Sequence, residues 1–185
     1  MTANTKRVSL AAGALVALLA VGLLIAQAGG DSDDPTGVAS PSPSAPSSAA
    51  TPTPSDEKET VRDAYLRQWD VYAEAVRTLE NTGLEDVFTG DALAAVKKEL
   101  RDLRRDGLGV RVRVEHDLRI EIADASTAVV IDRYENHSVA FKLKTGKATE
   151  PDPNEIIIEA YTLKKVDGAW KVSAIDRQSV RPIKR

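Results

Sequence analysis

The sequence predicts an α+β domain with its N-terminal helices packed on a curved antiparallel sheet of four to five strands, preceded by a membrane anchor helix and a linker. Three observations support this. An apolar run near the N-terminus stands apart from everything after it, and a proline-rich stretch follows it. Beyond residue 55 the spacing of apolar residues changes once, from about 3.6 to about 2. The chain divides accordingly into an anchor (1–30), a linker (31–55), one α+β domain (56–180) and a short tail (181–185).

Lys6 and Arg7 precede an apolar run from Val8 to Ala28 that is interrupted by Ser9, Gly13, Gly22 and Gln27; Asp31, Asp33 and Asp34 follow it. A helix over that run would be about 31 Å long at roughly 1.5 Å per residue, enough to cross a hydrocarbon core. Basic residues before the span put the N-terminus in the cytoplasm and the rest of the chain outside. Residues 8–28 are thus the expected membrane contact of a single-pass protein. The alternative is a secretory signal cleaved after Ala28, in the small-residue site Ala26-Gln27-Ala28, which would give a secreted protein. The apolar core, at about eighteen residues, exceeds the roughly 7–15 of such a signal and favours the anchor.

The chain has no cysteine, which removes lipoprotein acylation, disulfides, thiol nucleophiles and cysteine-bound metals. Its 25 basic and 28 acidic residues leave a net charge of −3, and two of the basic residues, Lys6 and Arg7, lie in the anchor. An acidic domain argues against nucleic acid as a partner and against a polybasic lipid-binding surface.

Within the linker, Pro35, Pro41, Pro43, Pro46, Pro52 and Pro54 alternate with Ser, Ala and Thr. Such a segment cannot bury enough apolar surface to offset its ordering entropy, so it is expected to be a disordered tether. Ser55 is a candidate N-cap, and Asp56, Glu57 and Glu59 suit the positive end of a helix. Val61, Tyr65, Trp69, Tyr72, Val76 and Leu79 recur at spacings of three and four on one face, and Asn81-Thr82-Gly83 is the expected stop. After an apolar turn (Leu84, Val87, Phe88), Thr89-Gly90-Asp91 opens a second helix that buries Leu93, Val96, Leu100 and Leu103 and stops at Gly107.

Strict alternation begins at Val110. Val112, Val114, His116, Leu118, Ile120 and Ile122 share its face, and charged residues occupy the other, which predicts one long half-buried strand. Asp124-Ala125 turns the chain into strands over 127–134 and 139–143. A polar loop then leads to strands over 156–166 and 170–175, joined by the hairpin dipeptide Asp167-Gly168.

Residues 84–109 (LEDVFTGDALAAVKKELRDLRRDGLG) and the closing hairpin 156–175 with its Asp-Gly-x-Trp-Lys-Val ending carry a resemblance. They resemble the nuclear transport factor 2-like superfamily, also called SnoaL-like or cystatin-like cones. Within it, the Leu-x-x-Val-x-Thr-Gly-x-x-Leu turn is similar to the IMS-type domains of plastid-division proteins and of anchored bacterial envelope proteins, including actinobacterial ones. The resemblance implies a cone over about residues 56–180. It leaves function open, because this superfold hosts isomerases, dehydratases and non-catalytic binding domains.

No residue matches a catalytic motif of that superfamily, so none is assigned as catalytic. The candidate pocket residues are His116, Asp132, Tyr134, Tyr65 and Trp69, with Tyr72 and Asp176 beside them. An Asp base with a Tyr donor is a pair suited to enolising a carbonyl compound; a satisfied core histidine and ordinary strand alternation explain the same residues without chemistry. His116 and His137 are the only histidines and have no ligand spacing, so neither a metal nor a cofactor is expected. Ile156, Ile157, Ile158 and Tyr161 put apolar side chains on both faces of one strand, which points to an interface. The leading expectation is a non-enzymatic, membrane-anchored envelope module that binds a partner protein or forms a homodimer. The alternative is a cone that binds a small-molecule ligand or acts as an isomerase or dehydratase.

Overall fold

Helix α1 (Pro54–Thr78) opens the computed structural model, which describes residues 54–183. The anchor, most of the linker and the last two residues lie outside the described residues. Among the described residues no helix is long and apolar enough to cross a membrane. Helix α1 buries Val61, Tyr65, Gln68, Ala75 and Val76 on one face. It ends sooner than the sequence predicts, because Leu79 takes a left-handed conformation (φ 63°) that turns its side chain into the core, where it is 5% exposed. Arg104 donates to the Leu79 carbonyl, which the helix end leaves open.

A four-residue helix α2 (Leu84–Val87) follows, and Phe88 bridges to Val172. Helix α3 (Gly90–Asp106) buries Ala92, Val96 and Leu100, with Leu93 and Leu103 packed partly against the core. Gly107 stops it in the left-handed region (φ 69°), its N–H reaching the Arg104 and Leu103 carbonyls.

The predicted long strand over 110–122 is instead three strands: β1 (Leu108–Arg111), β2 (Val114–Glu115) and β3 (Leu118–Asp124). Alternation persists across the breaks, and so read as one strand in the sequence. The hydrogen-bonding partner is what changes. β2 and β3 both pair with β4 (Thr127–Asn136), whereas β1 leaves the sheet to pair with β5 (Val139–Lys142) in a two-stranded ribbon. Gly109 permits that departure, since a Cβ there would lie 2.7 Å from the Phe141 ring.

The main sheet has five strands, all antiparallel. β4 pairs with β6 (Glu155–Val166), and β6 with β7 (Ala169–Pro182). The last strand runs well past the expected end at Ile175 and takes in the start of the expected tail. Its polar second half suits an edge strand, where side chains meet water on one side. Register shifts in the β6–β7 ladder, between Ile158 and Glu159 and between Thr162 and Leu163, mark bulges that bend a sheet. The helices cover one face only, burying Ala128, Val130, Leu163 and Val172 against Val61, Val76, Phe88, Val96 and Leu100.

Candidate functional site

The inward face of the sheet carries two polar networks among its apolar residues. The first centres on Asp132, fully buried on β4. Tyr65 of α1 donates its hydroxyl to Asp132 Oδ2 at 2.7 Å, and the Asp117 N–H donates to Oδ1 at 3.2 Å. His116 Nδ1 lies 2.6 Å from Oδ2. An ionised carboxylate only accepts, so opposite one Nδ1 is the donating nitrogen of the ring. Trp69 donates to the Tyr65 oxygen at 2.8 Å. Sequence alternation had placed His116 and Asp132 on the inward side; the structure joins them with Tyr65 and Trp69 into one network that ties α1 to the sheet.

The second network centres on Glu159, which is 3% exposed on β6. Its Oε2 accepts the hydroxyls of Tyr134 (2.9 Å) and Tyr161 (2.5 Å), and its Oε1 accepts Nε of Arg177 at 2.6 Å. Burial, then the charges of Asp132 and Glu159 respectively, push the phenols of Tyr65 and Tyr134 far above the usual range. The Tyr161 phenol is raised by burial and then by Tyr65 and Glu159. All three stay protonated and act as donors.

A cavity of about 720 Å³ lies between the helices and the sheet. Trp69 and Tyr72 line it from α1, Val96, Glu99 and Leu103 from α3, and Val110 from β1. The sheet contributes Tyr134, Ile157, Glu159, Tyr161, Ile175 and Arg177. Lys98, Asp102, Arg105 and Glu150 stand at a charged rim. His116 and Asp132 are not among the lining residues, although the ring of His116 packs on Trp69 (5.2 Å) and Tyr134 (6.2 Å), which are. Asp176 is exposed on the opposite side, across from Ala160. Of the four residues proposed as an interface, Ile157 and Tyr161 line the cavity, while Ile156 and Ile158 are half-buried on the other face of the sheet.

Glu99 and Gln68 are only partly satisfied in the cavity. Tyr72 donates to Glu99 Oε1 at 3.0 Å, but the buried Oε2 of Glu99 has no partner, and neither has Oε1 of Gln68. Burial raises the Glu99 carboxyl above its ordinary range, against the lowering effect of the Tyr72 bond. Glu99, Glu159, Arg177 and Gln68 had not stood out in the sequence. Glu159 left one sign: a charge in phase with Ile157, Tyr161 and Leu163 on an inward face. Among the described residues no cluster of His, Asp or Glu is arranged to hold a metal ion.

No protein-family model matches the chain, and no curated protein matches it. Solved structures do. The intermembrane space region of the chloroplast protein ARC6 superposes with a TM-score of 0.54 at 14% identity, over 68% of this chain and 97% of that one. A type 2 hexachlorocyclohexane dehydrochlorinase, LinA, gives 0.43 at 13% identity, over 66% and 88%. An NTF2-like protein with a cystatin-like fold from Novosphingobium aromaticivorans gives 0.40 at 15%, over 65% and 80%. At the level of the fold, helices over one face of an antiparallel sheet, this chain is like the intermembrane space region of ARC6.

Proposed function

We propose that this chain is a ligand-binding cone, displayed outside a membrane by the apolar segment 8–28 and tethered through the proline-rich stretch after it. The observation that carries the binding role is the cavity: about 720 Å³, mostly apolar walls, and a few polar groups converging from α1, α3, β6 and β7. That is the usual make-up of a small-molecule site. A densely packed or shallow cone would have favoured a purely structural or docking role. The His116–Asp132 pair has the geometry of an oriented base, but the cavity wall is made by Trp69 and Tyr134 instead. Binding therefore has more support than catalysis.

Native mass spectrometry of the full-length chain purified from its host membrane tests the binding role. A bound small molecule is expected, and it is lost in Val112→Trp, which puts a large side chain on the half-buried cavity wall. A molecule retained by that folded variant would place the site elsewhere. The topology is tested by reporters fused after Arg185: a phosphatase that works only outside the cytoplasm should be active, and activity of a cytoplasmic reporter would reverse the orientation.

A second reading, docking of a partner protein or a second copy, draws on the outer sheet face. There Ile131 pairs with Ala160, Val129 with Thr162 and Arg133 with Ile158, an apolar strip edged by charge. Ile158→Asp decides it: a changed oligomeric state or a lost partner supports docking, and unchanged assembly in a folded variant removes it.

A further inference from the structure

Resting on the reading of the cone as a ligand site, we propose that its ligand is a protonated amine on an apolar body, with the ammonium held by Glu99, Gln68 and the aromatic rings beside them. Three features of the cavity converge on this class. Glu99 Oε2 and Gln68 Oε1 are buried acceptors without a donor, and both residues line the cavity. Buried polar atoms are rarely left unpaired, and two unpaired acceptors in one cavity call for a ligand that brings donors.

The lining cations are already paired. Arg177 binds Glu159 at 2.6 Å, and Lys98 and Arg105 at the rim bind Asp102 at 2.7 and 2.8 Å. Glu99 has no such cation, so a positive charge from outside is the partner its carboxylate lacks. The surrounding rings suit one: Trp69 lies 5.7 Å from Tyr72 and 5.3 Å from Tyr134, centroid to centroid, and aromatic faces attract cations. Beyond this polar patch Val110, Val112, Ile157 and Ile175 offer only apolar surface, which takes an uncharged body. An anionic head at the same place would meet Glu99, Glu159 and Asp102.

Calorimetric titration of the full-length chain with octylamine, octanol and octanoate tests this, since the three share one apolar body. Octylamine should bind at least about tenfold more tightly than octanol, with octanoate weakest. Glu99→Gln should remove the preference for the amine while leaving octanol binding unchanged. Lowering the pH should weaken octylamine and not octanol, as Glu99 takes up a proton. The groups facing Glu99 are Tyr72 from α1, Asp102 one turn along α3, Glu159 from β6 and Arg177 from β7. Equal binding of all three probes, or an amine preference that survives both Glu99→Gln and low pH, overturns the amine assignment and leaves the ligand site standing. If none of the three binds and Val112→Trp alters nothing, the ligand site itself falls.

Discussion

Glu99 and Asp132 are both buried carboxylates, and their surroundings give them opposite roles. Asp132 is met by a hydroxyl, a ring N–H and a backbone N–H. Removing it leaves the buried Tyr65 and the half-buried His116 without their acceptor, so Asp132→Ala should cost about 3–5 kcal/mol of stability, read by urea unfolding. A loss under about 1 kcal/mol would mean the network contributes little to the fold. Glu99 is raised by burial, so the native state holds its proton more tightly than the unfolded chain does. Its effect on stability is therefore absent at low pH, where both states are protonated. Stability falls as pH rises from the ordinary carboxylate pKa through the raised native one. Glu99→Gln should stabilise the protein by about 1 kcal/mol at neutral pH and leave stability below pH of about 4 unchanged. Equal unfolding midpoints of the two proteins at neutral pH would contradict this.

At the scale of elements, the ribbon of β1 and β5 forms part of the cavity wall, and Gly109 sets its position. A methyl group there would meet Phe141 Cζ at 2.7 Å and the Arg77 carbonyl at 3.2 Å. Gly109→Ala should cost about 1–3 kcal/mol, as overpacked sites do, because neither the buried ring nor the backbone can retreat freely. Thermal unfolding measures it, and faster hydrogen exchange is expected in 108–111 and 139–142 than in β6. The hairpin between β6 and β7 depends on backbone conformation instead: Asp167 and Gly168 have φ of 52° and 81°. Gly168→Ala meets no neighbour within 4 Å, so its cost is conformational alone, about 1 kcal/mol. A larger loss would imply contacts absent from this turn.

For the whole molecule, the proposed ligand site predicts that binding and stability are coupled. Its walls come from α1, α3, the ribbon and the sheet, so an occupant bridges elements that separate on unfolding. A ligand at about 100 times its Kd adds about 2.7 kcal/mol when it binds only the folded state. Octylamine at that excess should raise Tm accordingly, and it should fail to do so in Val112→Trp. A Tm shift retained in that variant would show that the stabilisation does not come from the cavity.

By itself the sequence determined the α+β class, the order of helices before strands, the inward phase of His116, Asp132 and Tyr134, and both the Gly107 stop and the Asp167-Gly168 hairpin. These are local: periodicity and turn chemistry are written within a few residues. Only the tertiary structure decided where the run from Val110 to Ile122 breaks, because alternation fixes a side chain's face and not its strand's partner. Tertiary structure likewise carried β7 on to Pro182, since an edge strand's polar side chains resemble a loop in composition. It also assembled the cavity from Gln68, Glu99, Glu159 and Arg177, which are far apart in the chain and carry no spacing signal. In the sequence Glu99 is one charge on a charged helix. Burial beside Tyr72, with one oxygen left unpaired, arises only when α3 is laid against α1 and the sheet.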